Sequence, residues 1–454
     1  MDLEKYYNDP VLIAQKLIQF NTTNVSEKEI KDTPEGPCIM FVKELFDNIG
    51  VESEIYYSDL EGAKDRPNLM TKIEGDGTRN IPPLLLYGHL DVVSTEGQEW
   101  EEDPFAGVIK DGYLWGRGAI DMKGEHAIFL GALFKLIKSG RKLPYDIYYL
   151  AVSDEEADGE WGMKYLVNSK PEIFEGIKYA FGEIGGFSLH MMGKKFYPIQ
   201  ISEKQVTRMR ITAHGEAGHA SIKCTDSAVE KLSLAMHKLS TKNMPVRITK
   251  PVELMINGLA DGIGGLKGSV LKILLKPSMT DFILSKLGNA GDLFYPLLHN
   301  SINITLLGGG TAINIIPSSV WFEADMRMVP ECSIEDGLQD IKDIIGPDFD
   351  IDIKMYDQSG RDVDMKLYDG LAEAVKKHDS EAVPVPFVLA AVTDGRFLQR
   401  LGIQSYGYTP MTFPKDYNFT NLSHNANERV PVEALTFGTE TLYDYLTNIY
   451  QGEF

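Results

Sequence analysis

Short, wholly apolar runs that alternate with helix-periodic segments constrain this chain more than any other feature. Leu84-Leu85-Leu86-Tyr87 is one such run, closed by Gly88, and Asp146 to Val152, apolar after its first residue, reads as another buried strand. Around them, Pro10 to Phe20, Cys38 to Ile49 and Ile128 to Ile137 carry apolar residues at helical spacing, the last stopping at Gly140. A strand apolar on both faces needs cover on both, so the alternation predicts an α/β sheet with covering helices. Near residue 203 the texture changes. Gln205 to His214 alternates in polarity, with Val206, Met209 and Ile211 on the apolar side. Alternation returns at Ser301 to Leu307 and Val320 to Met326, then a helix-like stretch at Ile334 to Ile345 precedes a strand-like Asp350 to Met355. Strands with one wet face and a few helices predict a smaller α+β domain. After about residue 357 the α/β texture resumes. The chain therefore reads as one domain, 1–202 with 357–454, interrupted by a second, 203–356. Residues 250–300, with Gly-rich and Leu-rich pieces, read as helical elaboration of the inserted domain.

Charge narrows the function classes. The 454 residues hold 45 Lys+Arg against 66 Asp+Glu, a net charge of −21. Nucleic-acid binding needs a basic patch that displaces counterions, and an anionic membrane surface repels an acidic protein, so neither partner is expected. The start Met-Asp-Leu-Glu-Lys has no apolar segment behind a basic one, as a signal peptide would. No apolar run approaches the roughly 18 residues needed to span a bilayer. Cys38, Cys224 and Cys332 are far apart and odd in number, giving neither a disulfide framework nor a CxxC pair. A reducing cytoplasm is the expected compartment.

Five places look like chemistry. Gly88-His89-Leu90-Asp91 ends a buried strand, where the period of two puts His89 and Asp91 on one side. Histidine is the commonest metal ligand and a neighbouring acid can orient its ring. Trp115 to Gly124 surrounds Asp121 with three glycines just before a helix, allowing unusual backbone angles and close approach to a ligand. It lacks the Gly-Lys-Ser/Thr and GxGxxG of phosphate loops. Ser153-Asp154-Glu155-Glu156 follows the second buried strand; acids in series repel unless a cation or a catalytic need repays them. Glu183 follows the apolar Tyr179 to Phe181, and His424 lies in Ser423-His424-Asn425-Ala426-Asn427-Glu428. Each has an ordinary reading by itself: a locally satisfied histidine, a plain turn, a solvated acidic loop. Together His89, Asp121, Glu156, Glu183 and His424 form a mixed nitrogen and oxygen set suited to zinc or a similar divalent ion. Five ligands exceed one tetrahedral site and suffice for two metals if one carboxylate bridges.

In this order the motifs resemble the M20 family of metallopeptidases and deacylases, which includes aminoacylases, succinyl-diaminopimelate desuccinylases, acetylornithine deacetylases and glutamate carboxypeptidases. The markers are Gly88-His89-Leu90-Asp91-Val92-Val93, Trp100 with Asp103-Pro104-Phe105, Gly116-Arg117-Gly118, Asp121-Met122-Lys123-Gly124, Asp154-Glu155-Glu156, Gly218-His219-Ala220-Ser221, Asn314-Ile315-Ile316-Pro317 and His424. The resemblance implies a zinc-exopeptidase-like catalytic domain with a mixed central sheet, interrupted by an α+β lid or dimerisation domain. It implies two Zn2+ ions, with Co2+ or Mn2+ as substitutes. His89 and Glu183 would hold one and Glu156 and His424 the other. Asp121 would bridge them, its peptide to Met122 being cis. Asp91 matches the acid that orients His89, and Glu155 the general base that activates a metal-bridging water. His219 matches a lid histidine that polarises the scissile carbonyl. Asn314 and Arg327 match lid positions that contact the substrate, and Asp394 and Arg396 lie in a loop often near the site. The implied activity is hydrolysis of the amide bond of an N-acyl amino acid or small peptide. Glu183, where peptidases of the family more often have aspartate, leans toward a deacylase; a dipeptidase or carboxypeptidase is the alternative. A catalytically dead binding protein of the same fold would have lost a ligand or the base, and none is lost here. Family lids often pair two subunits, so a homodimer through 203–356 belongs to the same expectation.

Overall fold

The computed structural model describes residues 2–24, 33–61, 63–358 and 362–454. The chain divides into two compact units. The first comprises Met1–Ile201, Asp364–Phe387 and Thr393–Phe454; the second comprises Ser202–Val363 and Val388–Val392.

The first unit is built on a nine-stranded mixed sheet. Its centre is four parallel neighbours, in the order Ile147–Val152, Leu84–His89, Tyr179–Gly182 and Gln404–Gly407. Antiparallel strands Asn68–Ile73 and Ser53–Tyr56 extend it on one side. Lys194–Glu203 pairs antiparallel with Gln404–Gly407 on the other, followed by Ala382–Leu389. Every residue of Leu84–His89 is buried, as its unbroken apolar run requires. One face packs Leu85, Leu150, Val152 and Ala180 against Met163, Leu166, Phe174 and Phe397. Helix Lys123–Ser139 packs against Pro10–Ile18 and Val432–Asp444. Local chemistry sets the helix ends. Asp9 Oδ1 accepts the N–H of Val11 at 2.9 Å ahead of Pro10 at the first helical position, and Gly140, at φ +66°, closes Lys123–Ser139. That helix starts five residues before the periodic stretch at Ile128, because its first turn buries the polar residues Lys123, Glu125 and His126, which hide the pattern.

The second unit holds a four-stranded antiparallel sheet in the order Ser301–Gly309, Ser319–Met328, Gln205–His214 and Phe349–Asp357. Strict alternation along Ser319–Met328 turns Phe322, Ala324 and Met326 into a core with Leu232, Ala235 and Leu239 of helix Ala228–Thr241 and with Ile341, Ile344 and Ile345 of helix Ile334–Ile345. A capping box starts the latter: Ser333 Oγ accepts the Asp336 N–H at 3.1 Å, and the Asp336 carboxylate accepts the Ser333 N–H at 3.3 Å. Residues 250–298 form helices Lys250–Ile263, Gly265–Leu271, Pro277–Leu287 and Asn289–Leu298, with a 3₁₀ turn at Lys272–Leu275. No helix among the described residues is long and apolar enough to cross a membrane.

Candidate metal centre

Three adjacent parallel strands deliver acids and a histidine to one edge. Leu84–His89 ends in His89, Ile147–Val152 leads into Asp154, Glu155 and Glu156, and Tyr179–Gly182 is followed by Glu183. Their carboxyl ends share an edge because the strands are parallel neighbours. Asp121 comes from the loop before helix Lys123–Ser139, and His424 from the loop before strand Arg429–Pro431. The Asp121–Met122 peptide is cis. Two glycines make the loop feasible. Gly118 sits at φ +87°, and a Cβ on Gly124 would overlap the Ala119 carbonyl.

The two oxygens of Asp121 face different histidines. Oδ1 lies 3.1 Å from Nε2 of His89, and Oδ2 lies 3.1 Å from Nε2 of His424. Glu183 Oε2 stands 3.7 Å from Nε2 of His89, and Glu156 Oε1 stands 3.3 Å from Nε2 of His424. The ligand atoms of His89, Asp121 and Glu156 lie within 4.8 Å of one another, as do those of His89, Glu155 and Glu183. Nδ1 of His89 donates to the Asp91 main-chain carbonyl at 3.0 Å and faces the Asp91 carboxylate at 3.4 Å. This orients the ring so that Nε2 faces the Asp121 and Glu183 carboxylates; burial opposes its protonation, but these acids outweigh it and raise its pKa well above the ordinary imidazole range.

The set fits a divalent cation. Three buried or nearly buried carboxylates converge on two imidazoles, an excess of negative charge that a cation neutralises. Glu156 Oε1 is buried and closes no hydrogen bond with the described residues. Burial pushes Glu156 up to about 7 and raises Glu155 well above the usual carboxylate range, the Glu183 charge adding to the latter. Asp121 goes the other way: burial opposes its ionisation, but His424 and His89 outweigh it and hold the group low. Its hydrogen bond to His424, with Glu156 beside it, lifts that ring to about 11.

A buried polar frame holds these groups, and most of it carries no local sequence signal. Asp91 Oδ1 accepts the Glu155 N–H at 3.2 Å and Oδ2 accepts the Glu156 N–H at 3.0 Å. Asn24 Nδ2 donates at 2.9 Å to both Asp91 Oδ2 and Asp154 Oδ1. Arg66 Nη1 donates to both oxygens of Glu35, at 2.6 and 2.7 Å, and Glu35 Oε1 accepts the Asp154 N–H at 3.2 Å. His126 is buried; its Nδ1 lies 2.7 Å from the Tyr149 hydroxyl and its Nε2 3.0 Å from the His89 carbonyl. Burial lowers its pKa to about 3, so the ring is neutral, taking the Tyr149 proton and donating to His89. Asn24, Glu35, Arg66 and His126 were not singled out by the motifs. Arg396 Nη1 stands 3.9 Å from Glu155 Oε1. Asp394 is buried, its carboxylate makes no hydrogen bond to the described residues, and burial pushes it up to about 7.

The three remaining expected residues belong to the second unit. His219 pairs with Ile315 in a two-stranded ribbon, and the Ala220 N–H donates to the Asn314 carbonyl at 3.2 Å, so His219 and Asn314 share one exposed feature. Nδ1 of His219 accepts the Ser221 N–H at 3.3 Å and lies 2.8 Å from the Ser221 hydroxyl, which leaves the neutral ring's proton on Nε2. Arg327 lies on Ser319–Met328, its Nε 2.6 Å from Asp325 Oδ1.

The histidine and carboxylate cluster at the carboxyl edge of a mixed α/β sheet is a candidate divalent-metal centre, and the family match places it in a metal-dependent hydrolase. Residues 85–448 match the model of Peptidase family M20/M25/M40, and the chain belongs to this family. It is similar to Aminoacylase-1 of Mus musculus, 26% identical over 385 residues that cover 82% of this chain and 81% of the relative. It is 24% identical over 448 residues to the N-fatty-acyl-amino acid synthase/hydrolase PM20D1 of Bos taurus, covering 95% of this chain and 86% of the relative. The crystal structure of the M20 family metallo-carboxypeptidase Sso-CP2 from Sulfolobus solfataricus shares the fold, with a TM-score of 0.65 at 16% identity over 98% of this chain and 99% of that one.

Proposed function

We propose that the chain hydrolyses the amide bond of N-acyl amino acids at a centre of two divalent metal ions, zinc first among them. The observation that carries the reading is Asp121, whose oxygens face two different histidines at 3.1 Å each. In this reading His89 and Glu183 hold one ion, His424 and Glu156 the other, and Asp121 both. When bound, the ions lower the pKa of a water they hold toward neutrality and polarise the substrate carbonyl.

The chain's own residues do the rest. Glu155 accepts a proton from water as the new C–O bond forms, then delivers it to the leaving nitrogen as the C–N bond breaks. Arg396, 3.9 Å from Glu155, favours the ionised base before attack. Asp91 holds the Glu155 and Glu156 N–H groups on one carboxylate, so base and ligand keep a common origin. His219 stabilises the oxyanion by donating from Nε2, while Asn314 and Arg327 contact the substrate, the arginine suiting its carboxylate. The names of the two relatives, both acting on acylated amino acids, support the deacylase reading, as does glutamate at 183.

A screen with zinc or cobalt added should give N-acyl amino acids a kcat/KM at least about tenfold above that of dipeptides. The reverse order would replace the deacylase by a dipeptidase. His219→Ala should lower kcat by about 10²- to 10³-fold, the usual cost of one oxyanion donor, with zinc content unchanged. A parallel loss of zinc would make His219 a ligand instead.

A further inference from the structure

Arg117 and Glu428 form a buried ion pair beside the centre, Nη1 to Oε2 at 2.6 Å, with both side chains almost wholly out of water. A fold seldom sequesters such a pair without using its remaining donors and acceptors. Here most of those go to the segments that carry Asp121 and His424, Arg117 Nε alone closing no hydrogen bond with the described residues. Glu428 Oε1 accepts the N–H of Ile120 at 2.8 Å and that of Asp121 at 3.2 Å. The Glu428 carbonyl accepts the Gly116 N–H at 2.9 Å, fixing the other end of the glycine loop. On the opposite side, Arg117 Nη1 reaches the Asn425 carbonyl at 3.4 Å. Arg117 Nη2 donates to Gln98 Oε1 at 2.8 Å, and Gln98 Nε2 donates to the His424 carbonyl at 2.9 Å. The guanidinium lies 5.2 Å from the ring centre of Trp100, whose Nε1 also donates to Gln98 Oε1, at 3.2 Å. His424 itself sits at φ +60°, a conformation that a non-glycine residue keeps only when its surroundings hold it.

We propose that the Arg117–Glu428 pair is a positioning device that fixes the Asp121 carboxylate relative to the His424 ring, and so sets the affinity of the metal position they share with Glu156. Glu428 grips the Asp121 side through two amides. Arg117 grips the His424 side through a carbonyl and through Gln98. Neither residue touches the ion or the substrate. The position held by His89 and Glu183 meets the clamp only through Asp121, because His89 is fixed by Asp91 and by His126. The two positions therefore respond unequally when the clamp is loosened. The proposal rests on the two-metal reading above.

The test titrates zinc into the chelator-stripped full-length protein and follows cobalt binding by its visible absorption, for wild type, Glu428→Gln and Gln98→Met. Glutamine keeps an acceptor for the two amides but turns its NH2 toward Arg117. Gln98→Met removes the link to the His424 carbonyl together with the oxygen that accepts from Arg117 Nη2 and Trp100 Nε1, at a half-exposed residue, and serves if Glu428→Gln does not fold. Wild type should bind two equivalents. Both variants should weaken the His424 position by about ten- to a hundredfold, Gln98→Met the less, and change the cobalt spectrum, while the position that shares only Asp121 with the clamp weakens less. Two undisturbed positions in the folded variants would overturn the proposal and leave the two-metal reading standing. Equal weakening of both positions would also overturn it, marking the pair as general scaffold. A wild type that binds fewer than two equivalents would overturn the two-metal reading itself, and the proposal with it.

Discussion

Glu155→Gln should lower kcat by about 10³-fold, within the range a positioned general base contributes, and leave two equivalents of zinc in place. Glutamine matches glutamate in shape, and the residue is anchored through its backbone, whose N–H donates to Asp91 Oδ1 at 3.2 Å. The loop should hold, while the amide cannot take a proton from water. With an interaction used only on the way to the transition state removed, kcat and kcat/KM should fall together and KM should move little. Metal content by atomic emission separates the two roles geometry allows, because the ligand atoms of Glu155 also lie within 4.8 Å of those of His89 and Glu183. Lost turnover with retained zinc identifies the base; lost zinc identifies a ligand. Turnover within a few-fold of wild type would end the assignment.

Stripping the metal should remove activity entirely. Dialysis of the full chain against a strong chelator, then against buffer, should leave no measurable hydrolysis, and added zinc should restore it. The apo protein should also melt at a lower temperature, since ions that bind only the folded state stabilise it by mass action. Asp121, Glu156 and Glu183 would then crowd one buried edge with the two histidines as their nearest cations. Affinity should weaken as the pH falls, because carboxylate and imidazole ligands must shed protons to bind. Full activity in metal-free protein would refute the mechanism.

Local pattern carried much of the fold. The alternation along Gln205 to His214 and Val320 to Met326 and the helical spacing of Ile334 to Ile345 are visible in a few consecutive residues, and those elements lie where the periodicity predicts them. The ligand candidates were legible for a related reason: an acid or histidine within a few residues of the end of a buried apolar run is conspicuous, as at His89, Glu156 and Glu183. The frame behind them was not. Asn24 meets Asp91 across 67 residues and Asp154 across 130, and Arg66 meets Glu35 across 31. Nothing in the neighbourhood of Asn24 or Glu35 marks it as more than an ordinary polar residue. Periodicity reports which face of an element is dry, but not which distant side chain satisfies a polar group on it. The same limit applied at Lys123–Ser139, where buried polar residues concealed a helical turn.

The position of Gln404–Gly407 has a consequence for how the chain comes off the ribosome. It lies inside the large sheet, between Tyr179–Gly182 and Lys194–Glu203, and His424 follows it by seventeen residues. Until this late segment has been made, the sheet has a gap and the centre lacks one of its histidines. The second unit, contained in Ser202–Val363 and Val388–Val392, emerges complete before that moment. Synthesis thus delivers the insert before its host, and a nascent chain can gather only four of the five proposed metal-binding groups until the segment bearing His424 has been made.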